Sequence, residues 1–311
     1  MLNNIAIKSS EVLFAGEFGI CGELPPFRGA TLRGALGYHL RKTVCNDLKR
    51  QCSECFLSQD CAYSNFFEGV QPPNRSFMKL YPKVPQPFML IIDQKNSTEI
   101  KKGQPFEFSL KIFGEAANFF PYVAYAFLEA GEKGIGKDKI LYSMNKISEN
   151  DSVLYQNGSS ILKKPKPVKI EISTHRKSVD MKINFLTPVR IRKEGHTASD
   201  VNFKNIITTA LRRISAINYF YGSGKPIDIK VVNNLIQLSE KVNKIDDSTE
   251  IFSFDRYSGR QLRKIKLDGI TGSLTFGTVP SQLFNVLKFA EKIGLGKSTS
   301  FGFGRIKLEV L

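Results

Sequence analysis

The chain has 311 residues, 41% of them hydrophobic, enough for two ordinary domains with packed cores and too apolar for a disordered polymer. Its 45 Lys and Arg against 29 Asp and Glu give a formal charge of +16, which points to a polyanionic partner, nucleic acid before membrane. No stretch reaches the roughly 18 apolar residues of a membrane span. The opening "MLNNIAIKSSEVLF" has no basic segment ahead of an apolar one, so a reducing cytoplasm and no membrane partner are expected.

In chain order, "NIAIKSSEVLFAGE" reads as a strand and "GATLRGALGYHLRKTVCNDL" as a helix. "PFMLIIDQ" and "PFEFSLKIFG" follow as strands, "FPYVAYAFLEAG" as a helix and "KILYSMNKI" as a strand. The polar, Lys-Pro-rich "ENDSVLYQNGSSILKKPKPVK" reads as a connector. Beyond it, "SVDMKINFLTPVRI" is a strand and "NFKNIITTALRRISAINYFYG" a helix that keeps Ile206, Ile207, Ala210, Leu211, Ile214 and Ile217 on one face, with Arg212 and Arg213 outside it. "EIFSFDRYS" and "IKLDGITGSLTFG" are strands, "SQLFNVLKFAEKI" a helix and "FGFGRIKLEV" a strand.

The order βαββαβ therefore occurs twice. "EKGIGKDKI" (Glu132 to Ile140) and "EKIGLGKST" (Glu291 to Thr299) occupy the same place in each half, after a helix and before a strand. The expected fold class is α+β, with tandem ferredoxin-like domains over residues 1–175 and 176–311, the topology of a common RNA-binding module.

The chain closes on a glycine-rich loop, residues 294–304. A P-loop would need glycine at Glu291, ahead of Gly296-Lys297, and would join strand to helix, whereas this segment joins helix to strand. Two readings remain. Backbone N–H groups around Gly296, Gly302 and Gly304, with Lys297 and the hydroxyls of Ser298, Thr299 and Ser300, suit a phosphate backbone. Alternatively, Gly302 and Gly304 mark a bulge or tight packing where the last strand begins.

"GLGKSTSFGFGRIKLEV" resembles the C-terminal glycine-rich signature of the RAMP superfamily of CRISPR-associated proteins, and more narrowly that of the CRISPR repeat-processing endoribonucleases. "PFRGATLRGALGYHLRKTVC" is similar to that family's first-helix segment and "FGEAANFFPYVAYAFLEAGEKGIGK" to its mid-chain segment. "FDRYSGRQ" with "LDGITGSLTFG" is similar to the run before the last helix. Four matches in order cover most of the chain outside the connector. The resemblance implies metal-independent cleavage of precursor CRISPR RNA within its repeats.

Cys45, Cys52, Cys55 and Cys61 stand as C-x6-C-x2-C-x5-C. In a cytosolic chain such spacing suits a closed structural site of four thiolates, zinc first, with an iron–sulfur cluster open on the same ligands. Four thiolates leave no vacancy for water, so the metal would be structural and catalysis would not require it. Similar cysteines occur in some members of the family.

Cutting RNA without a metal needs a base for the 2′-hydroxyl, an acid for the leaving 5′ oxygen and cations for the charge on phosphorus. The three histidines are His39, His175 and His196. The resemblance places the catalytic histidine in or just after the first helix, hence at His39, although helical periodicity also puts His39 on the apolar arc, where it would simply be packed. His196 in "RKEGHTASD" and His175 beside the connector remain alternatives. Tyr38 would orient the attacking hydroxyl or stack on a base, and Lys42, with Arg41 and Arg28, would stabilise charge. RNA contacts are expected along "FDRYSGRQLRK" (Arg256, Tyr257, Arg260, Arg263, Lys264) and "RIRKEGH" (Arg190, Arg192, Lys193). The expected activity is an endoribonuclease that leaves a 2′,3′-cyclic phosphate on precursor CRISPR RNA. The alternative is a non-catalytic RAMP subunit that binds guide RNA among the subunits of a CRISPR effector complex.

Overall fold

The structure is a computed structural model that describes residues 2, 5–93, 97–172, 174–193, 196–198, 200–258 and 263–311. The chain divides into two compact units, Lys8–Lys169 and Ile170–Leu311, the latter taking in Met1–Ile7.

The first unit is built from β1 (Ala6–Phe18), α1 (Gly29–Val44), β2 (Phe88–Ile91), β3 (Pro105–Phe113), α2 (Phe120–Lys133), β4 (Tyr142–Glu149) and β5 (Ser152–Gln156). The sheet runs β2-β3-β1-β4-β5, and every one of these pairs is antiparallel. Alternation in β3 sends Phe106, Phe108, Leu110 and Ile112 to one side, where all four are buried. Phe14 of β1 lies opposite Phe108 with ring centroids 4.8 Å apart, and Phe127 of α2 closes on it at 5.1 Å. Such aromatic pairs add about 0.5–1.5 kcal/mol each beyond area burial. Leu32, Leu36 and Leu40 form the buried stripe of α1, which packs against α2.

The second unit comprises β6 (Val179–Val189), α3 (Phe203–Tyr221), α4 (Ile229–Ser239), β7 (Asn243–Ser258), β8 (Arg263–Val279), α5 (Ser281–Ile293) and β9 (Ile306–Val310). Its sheet runs β7-β8-β6-β9, again antiparallel throughout. Asn202 and Asn205 cap α3 reciprocally, each side chain accepting from the other's backbone N–H. Phe203 of α3 meets Phe276 of β8 at 4.7 Å.

If the four strands of each βαββαβ unit are counted in chain order, both sheets read 2-3-1-4. The fold is a tandem of ferredoxin-like units. Several elements lie outside the expected layout. Ser152–Gln156, expected in the connector, pairs with β4, Val168–Glu171 is a further strand at the connector's end, and α4 lies in a stretch for which no element is expected. Residues between α1 and β2 carry only a 3-10 turn at Cys52–Glu54 and one π turn at Ser64–Glu68. Among the described residues no helix is long and apolar enough to cross a membrane.

Candidate active site and nucleic-acid interface

In the first unit the site forms around His39. It lies on the α2-facing side of α1, 6% exposed, and Tyr38, 65% exposed, meets it edge-on at 5.0 Å. Burial is the main cause that holds the imidazole below its ordinary pKa of 6.5. The Glu129 carboxylate opposes it, and the ammonium groups of Lys42, Lys139 and Lys133 add to the lowering. The imidazole is thus neutral near pH 7, able to accept a proton. Glu129 and Lys133 come from α2 and Lys139 from the turn after it, and none of the three was singled out in the sequence. Lys42, Lys133 and Lys139 are exposed. The constellation can take a proton from a hydroxyl and hold an anionic group beside it.

Other expected residues of this unit are placed differently. Arg28 is 5% exposed, its guanidinium 5.8 Å over the Phe18 ring and Nη2 donating to Ser97 O at 3.4 Å, so it faces the core rather than solvent. Arg41 Nη2 donates to Leu48 O and Arg50 O at 2.9 and 2.8 Å, with the guanidinium 5.6 Å from the Tyr63 ring. That engagement clamps the irregular segment after α1.

The cysteine cluster sits in the same segment. Burial raises the Cys52 thiol pKa, and Glu68, Cys61 and Cys45 add to the rise against Arg41. Cys45 Sγ donates to Asp47 O at 3.2 Å. Yet among the described residues no three His, Cys, Asp or Glu side chains are placed to hold a metal ion. The four-thiolate centre expected from the spacing, zinc or iron–sulfur, is not formed in this geometry.

In the second unit, cations gather at the glycine-rich loop. Burial lowers the pKa of Lys297, and Arg192, Arg190 and Arg212 lower it further by repulsion. Lys297 N–H donates to Arg190 O at 3.1 Å, and Arg190 pairs with Asp268 at 2.8 Å. Arg256 of β7 lies 4.8 Å over the Phe301 ring, beside a line of rings running Phe252, Phe254 and Phe303. The glycines answer to packing as well as to any ligand. A Cβ on Gly296 would stand 2.6 Å from Arg190 O, one on Gly304 would stand 2.3 Å from Leu295 O, and both residues have positive φ. Gly302 closes a short turn at φ 92° and Ser298 opens it at φ 66°. Thr299 and Ser300 are buried, so of the three hydroxyls only that of Ser298 remains near the surface.

Arg192 and His196 are exposed on a short hairpin. His175 is tied to α5, where its N–H donates to Asn285 Oδ1 and its carbonyl accepts from Asn285 Nδ2, both at 2.9 Å. Tyr257 pairs with Lys264 in the β7–β8 hairpin. Arg260, and the side chains of Tyr257 and Lys193, lie outside the described residues.

Residues 9–167, just over half of the chain, match the AF_1859_N family model, described as an N-terminal domain, and residues 183–306 match the model of the CRISPR-associated endoribonuclease Cas6. The chain belongs to the AF_1859_N family, and its second unit matches a Cas6-type domain. An uncharacterized protein of Archaeoglobus fulgidus is 25% identical over 298 residues, 92% of each chain. Among solved structures, Thermus thermophilus Cas6 superposes with a TM-score of 0.54 at 12% identity, covering 97% of this chain and 99% of that one. Its product complex gives 0.55 at 16%. A partial Cas6-RT-Cas1–Cas2 complex gives 0.58 at 10%, with all of this chain matched to 47% of that polypeptide.

Proposed function

We propose that the protein is an endoribonuclease that cuts precursor CRISPR RNA within its repeats without a metal ion. His39 takes the proton of a ribose 2′-hydroxyl, whose oxygen attacks the adjacent phosphorus. The bond from phosphorus to the 5′ oxygen breaks, and that oxygen receives a proton from Lys42. The products are a 2′,3′-cyclic phosphate and a 5′-hydroxyl. Tyr38 orients the attacking ribose. The observation that carries this reading is an imidazole held neutral by burial and by Lys42, Lys139 and Lys133. The cationic loop around Lys297, with Arg192 and Arg256, holds the rest of the RNA, and CRISPR effector subunits are the recipients of the cut product.

End-group analysis tests it. Repeat RNA incubated with the protein in excess EDTA should acquire 2′,3′-cyclic phosphate ends, and none with His39→Ala. Binding without cutting would favour the second reading, a guide-RNA-binding subunit, which draws on the 6% exposure of His39.

For the cysteine loop we propose that one zinc ion draws in Cys45, Cys52, Cys55 and Cys61, which requires turning the Cys45 thiol away from Asp47 O. The proposal rests on spacing and on the scarcity of regular structure between α1 and β2. Elemental analysis should find one zinc per chain, and its removal should lower Tm. Purified protein with no zinc and a Tm indifferent to chelator would end it.

A further inference from the structure

The two halves end their second helices in the same way. Gly134 after α2 has φ 80° and ψ 148°, and Gly294 after α5 has φ 84° and ψ 153°. Two residues on, Gly136 and Gly296 have φ 75° and 84°. Between each pair lies a buried aliphatic side chain, Ile135 or Leu295, and after each comes an exposed lysine, Lys137 or Lys297. The same backbone device is thus used twice, once beside the cations of the second unit and once beside His39.

The first copy is the more closed. Ile135 and Ile140 exchange both backbone hydrogen bonds at 2.9 Å, leaving Gly136, Lys137, Asp138 and Lys139 as an exposed four-residue tip. Asp138 is tied down by accepting from the Glu23 N–H at 3.3 Å. Lys139 sits in the left-handed region at φ 52°, a conformation that costs a residue with a Cβ about 1–2 kcal/mol. Gly134 beneath it has no room for a Cβ, which would fall 2.2 Å from Lys139 O. The tip is a fixed platform, and among the described residues neither Lys137 nor Lys139, nor Lys133 at the end of α2, is in an ion pair.

We propose that this turn is a second phosphate-binding site, at which Lys137 and Lys139, with Lys133, hold the RNA phosphodiesters next to the ribose that His39 deprotonates. The proposal rests on the endoribonuclease reading and adds to it the residues that hold the reacting strand. Glu129 is the carboxylate whose charge acts on His39, and in the tip itself the Asp138 carboxylate accepts from the Glu23 N–H while neither Lys137 nor Lys139 pairs with it. The fixed backbone sets where Lys137 and Lys139 leave the turn, and their exposed ammonium groups, on flexible stems, can meet phosphates within reach of it.

The test uses the full chain, a synthetic RNA carrying the repeat of the organism's own array, and the double variant Lys137→Ala/Lys139→Asn, since Asn tolerates the left-handed conformation. Log affinity is followed against log salt for both proteins. The slope should fall by about 0.7 for each contacted phosphate lost, and the cleavage rate should fall with it, while Lys139→Arg restores both. A variant with wild-type slope and affinity, folded by circular dichroism, would overturn the site while leaving the nuclease intact. A wild-type protein that binds the RNA without cutting would remove the nuclease reading, and the slope would still decide whether the turn holds phosphates. A wild-type protein that does not bind RNA would remove both.

Discussion

Arg213 of α3 donates through Nε and Nη2 to the carbonyl of Ile293, the last residue of α5, at 2.9 and 2.8 Å. Burial brings its pKa down to about 10, so the guanidinium remains charged at neutral pH. A planar fork of this kind satisfies a helix-terminal carbonyl that has no intrahelical partner, and it fixes the point from which the glycine-rich loop departs.

Arg213→Leu leaves that carbonyl without its donors, a cost of about 1–3 kcal/mol for a buried polar group. Thermal unfolding should register the loss, and RNA affinity should weaken because the loop that carries Lys297 loses its anchor. Arg213→Lys, which cannot form the fork, should recover only part of the stability. Variants with wild-type Tm would show that the carbonyl finds another donor.

Glycines in this chain do different work, and alanine substitution separates them. Gly304→Ala meets Leu295 O at 2.3 Å with φ 82°, so it should destabilise by about 1–3 kcal/mol. Gly34→Ala lies in α1 with nothing within 4 Å and should stabilise by about 0.5–1 kcal/mol. Denaturant unfolding of the two variants checks the opposite signs.

Much of this was legible from sequence. Helices α2, α3 and α5 and the alternating strands announce their periods, and the repeated order of elements gives the tandem fold. What stayed hidden depends on contacts between segments distant in sequence. Arg213 sits outside the apolar face of α3, but its long side chain bends back to Ile293, which no helical wheel records. The short "SVLYQ" reads as connector because it lies in a polar, Lys-Pro-rich stretch, and its strand is fixed by pairing with β4. Glu129, Lys133 and Lys139 look like solvated residues until α1 packs on α2 and brings them to His39.

The pH dependence of cleavage follows from the same neighbours. The base form of His39 is favoured by burial, so kcat/KM should rise with pH to a plateau whose midpoint lies below 6.5. Lys133→Gln removes a repelling positive charge and raises the imidazole pKa, moving the midpoint up. Glu129→Gln removes the attraction for the protonated form and moves it down. Stability has the matching sign: the unfolded chain binds this proton more readily, so stability is lost as pH falls below 6.5. Rate profiles of the two variants that coincide with wild type would place the titrating base elsewhere, with His196 the next histidine to substitute.

The central claim is that the His39 imidazole is the base that turns a ribose oxygen on its neighbouring phosphate. Its most direct test is the single-turnover rate of repeat-RNA cleavage in EDTA, wild type against His39→Ala. Loss of a general base predicts a fall of about 100- to 10,000-fold with RNA affinity retained. Cleavage by the variant at the wild-type rate would contradict the account.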